Sequence, residues 1–404
     1  MHEVVVVGGG PVGACLGALL VRGAGGARPV PVVLLEPRPP APLAPGAPLE
    51  PRVVALSRAS ERLLGAAGAW EGIAGPRLCA YERMRIWHES VASDSDAVLT
   101  FDAAEAGEPN LGYIVENRLL QAALLEAFVR AGGQIERAGL TALEIGAEHV
   151  TVRTTHGELA ARLVVGADGA RSAVREQAGL VAVTRGYRET AIVANVATAL
   201  PHRFSAWQRF MRDGTLAFLP LADGTSSIVW SADEALAAEL LALAPEAFAA
   251  ALDRASDLAL GATRLVTERA SFPLAKLAAQ RYVAERVALV GDAAHVVHPL
   301  AGQGVNLGLL DAAALAEGVA GALARGEDPG SLGVLRAYER WRKSEVALMG
   351  TAIDAFDRLL AHGSGPLSQL ARRGLSWVNR APELQRFFIR RALGVSGDLP
   401  RAAR

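Results

Sequence analysis

Apolar residues fall along this chain in two rhythms, short continuous runs closed by glycine and longer stretches of helical period. Val4 to Val7 is such a run, β-branched throughout, and it predicts a strand buried on both faces of a parallel sheet. An apolar helix from Ala14 to Arg22 follows it, and Val32 to Leu35 repeats the strand pattern. Val287 to Val290 is a third run, succeeded by a helix that starts near Val305 or Asn306 and continues through Asp311 to Glu317. Between these, Tyr81 to Val98 alternates apolar and polar residues, as in Met84-Arg85-Ile86-Trp87-His88, which predicts antiparallel strands. Leu119 to Arg130 has helical period, with Leu119, Ala122, Ala123 and Leu124 as its core face and Gly132-Gly133 as its stop. Ile135–Leu143, His149–Thr154 and Leu159–Val165 read as strands, with a tight turn at Thr155-His156-Gly157 and with Val164-Val165 returning to the parallel sheet.

The stretch from Arg185 to Phe272 is built differently. Ala191–Val196, Trp207–Met211, Leu216–Pro220 and Ser226–Trp230 are short strand-like runs separated by Pro, Asp-Gly and Gly turns, which suits a mixed sheet. Helical patterns from Ala232 to Leu243 and from Pro245 to Arg254 separate them from Gly261–Phe272. Further helices are expected from Tyr338 to Asp357 and from Leu367 to Ala392, with Pro366 and Pro382 as breaks. The fold class is therefore α/β, with a Rossmann-like domain, an interleaved mixed sheet and C-terminal helices.

Composition narrows the function classes. A chain of 404 residues with 51% hydrophobic content can bury a large core, and its length favours two domains over one. The net charge of −1 argues against nucleic acid as a partner. Cys15 and Cys79 have no metal or CxxC spacing, so reduced thiols of a cytoplasmic protein are the simple expectation. The N-terminus enters a strand directly, and no uninterrupted apolar run reaches spanning length.

The glycine turns carry the chemistry. Gly8-Gly9-Gly10-Pro11-Val12-Gly13 is GxGxxG between a strand and a helix: Gly8 makes the turn, Gly10 lets the backbone reach a pyrophosphate, and Gly13 permits close packing. Glu36 ends the second strand 23 positions after Gly13, placed to take ribose hydroxyls, and together these identify an adenine dinucleotide without saying which. Pro37 to Pro51 is proline-rich and predicts an exposed loop. Near the C-terminal end of the third strand, Gly302-Gln303-Gly304 opens the backbone to a ligand, and the following helix aims its positive end there, which suits a pyrophosphate or a flavin ring.

GDAAHVVHPLAGQGVNLG, from Gly291 to Gly308, resembles the second FAD-binding motif of the flavoprotein aromatic hydroxylases, and its HPLAGQGVNLG is closer to the ubiquinone-biosynthesis branch than to the para-hydroxybenzoate hydroxylase branch. The resemblance continues in Arg52-x-x-Ala-Leu-Ser, in Gly166-Ala167-Asp168-Gly169 with Ser172, and in Tyr338-Glu339-x-Trp341-Arg342, and so covers nearly the whole chain. It implies that Asp292 contacts the ribityl chain of FAD, that Pro299, Gly302, Gln303 and Gly304 lie against the flavin ring, and that Arg52 reaches the flavin or pyrophosphate. Arg118, with Gln121 one turn on, resembles the pair beside the pyrophosphate and ribityl chain. The expected cofactor set is thus Gly8, Gly10, Pro11, Val12, Gly13, Glu36, Arg38, Arg52, Arg118, Ala167, Asp168, Gly169, Gly291, Asp292, Pro299, Gly302, Gln303, Gly304, Val305 and Asn306.

No protein group is assigned as the catalyst, because in this family the flavin performs the chemistry; His298, Pro299, Gly302 and Gln303 are the flavin-adjacent candidates. His295 and His298 have His-x-x-His spacing but no acidic ligand pattern, so no metal is expected. Tyr187, His202 and Trp207 are candidates for lining a pocket, against an ordinary role in the core.

The resemblance implies an NAD(P)H- and dioxygen-dependent monooxygenase that hydroxylates a prenylated phenol in ubiquinone biosynthesis through a C4a-hydroperoxyflavin, with NAD(P)H bound only transiently. Residues 1–80, 112–180 and 281–330 would form the FAD domain, 81–111 and 181–280 the substrate sheet, and 331–404 a helical region. Two rivals use the same fold: a flavin-dependent reductase or dehydrogenase of a prenyl substrate, and a non-catalytic FAD-binding subunit of a lipid-biosynthetic complex. The seven arginines from Arg372 to Arg401 leave open a solvated helix face or a peripheral contact with the inner membrane or a biosynthetic complex. A homo-oligomer is also left open.

Overall fold

The computed structural model describes residues 1–404 other than 27, 42, 45, 298–302, 361–392 and 395–396, with backbone alone at 303 and 352–360. The valine run forms the strand His2–Val7 at the centre of an eight-stranded sheet, flanked in parallel by Val32–Leu35 and Gly157–Gly166. Gln134–Glu136 and Val287–Leu289 extend the parallel part on either side. Val4, Val5 and Val6 are completely buried, as a strand covered on both faces requires. Helix Pro11–Arg22 packs between Asn117–Arg130 and Gln303–Ala324, and Gly17 admits the Phe128 ring, which would lie 3.0 Å from a Cβ there. In open parallel sheets ligands bind beyond the carboxyl ends of the strands. Here those ends are Gly8, Gly166-Ala167 and Val290-Gly291.

The second sheet has nine strands and is mostly antiparallel. Ile192, Phe218, Ile228 and Trp230 on one face form a core with Phe248 under the helices Glu234–Ala242 and Pro245–Ala255. Side chains alternate along strands, so the opposite face carries Val193, Ala217 and Val229, with Val229 the register partner of both others. A three-stranded sheet of Val53–Leu56, Gly112–Glu116 and Cys79–Tyr81 stands beside them.

Several expectations need correction. The segment expected as Ala191–Val196 is part of a strand from Ala182 to Thr198, interrupted by a register shift between Gly186 and Thr190 where Arg188 has φ 59°. Such a bulge breaks the alternation that periodicity relies on. Ile135–Leu143 is two strands, Gln134–Glu136 and Leu140–Ile145, in different parts of the first sheet. Arg83–His88 pairs antiparallel with Leu99–Asp102 but parallel with Ser205–Met211, a pairing that alternation cannot distinguish. The helix expected from Ala232 starts at Glu234, because Asp233 caps it by accepting from Leu236 N at 2.8 Å. Leu119 and Ala122 are only half-buried, and Leu120, Leu125 and Phe128 form the core face with Ala123 and Leu124.

Among its described residues the proline-rich segment has no regular structure, as expected, but it is strapped down. Arg77 donates to Ala47 O and Pro48 O, Arg118 to Ala41 O, Asn195 Nδ2 to Leu49 O and Ser227 Oγ to Pro51 O. Prolines lack N–H donors, so the segment is anchored through backbone carbonyls, those of Ala41, Ala47 and Leu49 as well as Pro48 and Pro51. The expected helix Leu367–Ala392 lies outside the described residues.

Candidate cofactor and substrate site

The dinucleotide turn is fixed by close approaches that only glycine permits. Gly8 has φ +106° and a Cβ there would lie 2.4 Å from Ala167 O; one on Gly13 would lie 2.0 Å from Gly8 O. Gly10 is different, with no atom within 4 Å of its Cβ position, and it opens onto a cavity at the uncapped start of helix Pro11–Arg22. Open backbone at a helix N-terminus is what a phosphate requires. Glu36 Oε2 accepts from Gly9 N at 2.8 Å and Oε1 from Arg38 N at 2.9 Å, which fixes the carboxylate at the sheet end and leaves lone pairs for hydroxyl donors.

Asp168 Oδ2 accepts from Val174 N at 3.1 Å, while its Oδ1 is buried with no partner among the described residues. Gly169, with φ +79°, lines the same cavity. Gly291, with φ +57°, lets the chain turn after Val290. Asp292 is exposed to the cavity, and desolvation by the protein around that opening raises its carboxyl above the usual range; His295 and Arg52 pull it down, and Asp311 adds to the rise.

The cavity has a volume of about 570 Å³ and is continuous from the dinucleotide turn to the second sheet. Gly10, Pro11, Val12, Arg52, Ala167, Asp292, Gly304 and Val305 line its cofactor side. Met84, Val193, Ala206, Ala217, Val229 and Phe272 line the sheet side together with the polar Gln208, Thr215 and Ser231. Tyr81 adds a phenol whose pKa burial pushes up to about 12, so it stays protonated as a donor. Arg52 makes no hydrogen bond or ion pair through its side chain among the described residues and is exposed to the cavity.

Other expected residues are placed elsewhere. Arg118 is turned to the proline-rich segment, donating to Ala41 O and to Glu50 Oε1 at 2.9 Å, while its neighbour Gln121 lines the cavity and donates to Gly9 O at 2.8 Å. Arg38 is exposed and contributes its backbone N–H to Glu36. Asn306 is buried and ties the Gln303–Ala324 helix to the Ala-Leu-Ser segment, accepting from Ser57 N at 2.9 Å and Ser60 Oγ at 2.6 Å and donating to Ala55 O at 2.8 Å. His298, Pro299 and Gly302, and the side chain of Gln303, lie outside the described residues. Of the pocket candidates, Trp207 lines the cavity but also packs in the core beneath the sheet, and His202 packs on Phe204 and lies 3.2 Å from Leu221 O.

The residue that sequence reasoning passed over is Asp311. Fully buried, it holds His295 Nε2 at 2.5 Å and Gly291 N at 3.1 Å on one oxygen and Arg342 Nε at 2.8 Å on the other. His295 is thus engaged by a carboxylate in a structural cluster. Asp311 lies in the helix that follows the motif and Arg342 in the C-terminal helix Leu332–Leu360, and their 31-residue separation gives no local signal.

An open cradle at Gly10, an unpaired buried oxygen on Asp168, a fixed carboxylate at Glu36 and open space at Gly304 fit a flavin dinucleotide. The comparisons with known proteins agree. The FAD binding domain family matches residues 1–351. The ubiquinone hydroxylase UbiL of Rhodospirillum rubrum is 40% identical over 97% of this chain and 89% of its own length. The 3-demethoxyubiquinol 3-hydroxylase of Escherichia coli is 36% identical over 97% and 98%. In fold, p-nitrophenol 4-monooxygenase PnpA from Pseudomonas putida superposes with a TM-score of 0.77 at 23% identity, covering 97% of this chain and 98% of that one. The chain belongs to the FAD binding domain family, as a flavoprotein aromatic monooxygenase of the group that includes the ubiquinone-biosynthesis hydroxylases.

Proposed function

We propose that this protein hydroxylates the aromatic ring of a prenylated phenol on the route to ubiquinone, using NAD(P)H and dioxygen. One observation carries the substrate class: on the sheet side of the cavity the described lining residues include no charged side chain. A small carboxylated ring would find no cation on that side, whereas an apolar ring with uncharged oxygens meets matching surface. The names of the relatives point to the same class of substrate.

When bound, FAD supplies the activation of dioxygen, with NAD(P)H as a transient reductant. The chain's own residues bind, orient and exclude water. Glu36 would hold the ribose end, the Gly10 backbone and helix start would face the phosphates, and Asp168 and Asp292 would offer acceptors near the turn. Arg52 and Gln121 line the cavity wall, Gln121 beside the dinucleotide turn. Residues 1–80, 112–180 and 281–330 act as the cofactor unit in this reading, 81–111 and 181–280 as the substrate unit, and 331–404 as the C-terminal region that the sequence predicts to be helical. Helix Gly304–Ala324 is long and apolar enough to cross a membrane, but 67% of its most apolar 18-residue stretch is buried and it packs on the first helix, so we assign it to the core. A cytoplasmic protein with peripheral contact to the inner membrane fits a lipid substrate.

A quinone profile of a deletion strain tests the proposal. Loss of ubiquinone with accumulation of an under-hydroxylated prenylphenol is expected. An unchanged quinone pool, with turnover of a small hydrophilic aromatic acid, contradicts it.

A further inference from the structure

We infer that Gln208, Thr215 and Ser231 form a hydrogen-bonding patch that reads oxygen substituents on the substrate ring and so selects which carbon is presented for hydroxylation. The inference rests on the aromatic substrate class proposed above. Thr215 and Ser231 are direct partners on adjacent antiparallel strands, and Gln208 pairs with Ala217, two residues along from Thr215. Register partners share a face, with opposite Cβ atoms about 5 Å apart and diagonal neighbours about 7–8 Å, within reach of a glutamine carboxamide. All three lie on the face opposite the Phe218, Ile228 and Trp230 core, and all three line the cavity.

Their burial makes the patch informative. Relative exposures are 4% for Gln208, 6% for Thr215 and 4% for Ser231, yet no side chain of the three has a hydrogen-bond partner among the described residues. Nor are their polar atoms sealed into packed protein, as the indole nitrogens of Trp87 and Trp230 are; they open onto the cavity. Ala217, Val229 and Val193 surround them on the same face. Buried polar groups in an apolar wall are costly without partners, so a ligand or its water must complete them.

The chemistry of the groups defines what they accept. A carboxamide and two hydroxyls each donate and accept, and none carries charge. They suit hydroxyl, methoxy or carbonyl oxygens on a ring, and they offer nothing to a carboxylate that water does not. A ring held at two or three such points cannot rotate in its plane, and the carbon facing the cofactor side of the cavity is thereby chosen.

The test uses the FAD-loaded protein, titrated with 2-geranylphenol and with geranylbenzene, which lacks the ring oxygen; binding is read from the flavin absorbance spectrum. Wild type is expected to prefer the phenol by about tenfold or more, since a site built for a hydroxyl rejects the analogue without it. Gln208→Leu, and separately Thr215→Val with Ser231→Ala, should bring that ratio towards one while affinity for geranylbenzene holds within about twofold, because only the polar contact is removed. A preference that survives in both variants, or is absent in wild type, overturns the patch. A wild type that binds neither ligand overturns the prenylphenol reading itself and the inference with it.

Discussion

His295 Nε2 lies 2.5 Å from Asp311 Oδ2, and the other oxygen of that carboxylate takes Arg342 Nε at 2.8 Å. Three segments meet at this carboxylate: the turn after Val290, the helix that follows the glycine-rich loop, and the C-terminal helix Leu332–Leu360. The position of Asp292 in the cavity therefore depends on a cluster that does not itself line the cavity.

Asp311→Asn should destabilise the protein by about 3–5 kcal/mol, because it leaves the buried Arg342 guanidinium without its counter-charge. Burial opposes ionisation of Asp311, but His295 and Arg342 outweigh it and hold the carboxyl below the usual range. Its contribution is thus complete above the unfolded carboxylate value of about 3.9 and is lost as pH falls through the lower folded value. Thermal melts of both proteins from pH 3 to 8 should show a gap that is constant at neutral pH and closes only on the acid side. A gap that closes between pH 6 and 8 would place the effect on another group.

Glu36→Arg should yield colourless protein. The substitution removes the acceptor for Gly9 N and puts a cation where ribose hydroxyls need an acceptor. Flavin-to-protein absorbance after saturation with added FAD measures it; full occupancy in the variant would put the adenosine elsewhere.

The glycines of the site should divide into two classes. Gly13→Ala forces a Cβ to 2.0 Å from Gly8 O and should cost about 1–3 kcal/mol through backbone overpacking. A Cβ at Gly304 meets no atom of the described residues within 4 Å and opens onto the cavity, so Gly304→Val should keep its circular dichroism and melting temperature while losing flavin and activity. Normal flavin content and turnover in Gly304→Val would remove that loop from the cofactor site.

Much of this was legible in the chain because it is local. The run Val4–Val7, the turn to Gly13 and the helix after it are contiguous, and each residue's role follows from its neighbours. The longer-range features were not. Arg118 and Gln121 share a helix surface, and only the fold turns the first to Glu50 and the second to Gly9 and the cavity. The bulge at Arg188 hides the true length of its strand behind a broken alternation. Gln208, Thr215 and Ser231 sit on three ordinary alternating strands, and nothing local says which face looks into a cavity.

The central claim is an oxygen transfer, and labelled dioxygen measures it. Purified FAD-loaded protein, given NAD(P)H, a prenylated phenol and oxygen-18 gas, should consume NAD(P)H faster with the phenol than without it. The product should carry one heavy oxygen atom on the ring. Unlabelled product, or hydride transfer to the prenyl substrate without oxygen, would contradict the account in favour of a reductase or dehydrogenase; bound flavin with no substrate-stimulated NAD(P)H oxidation would favour a non-catalytic subunit.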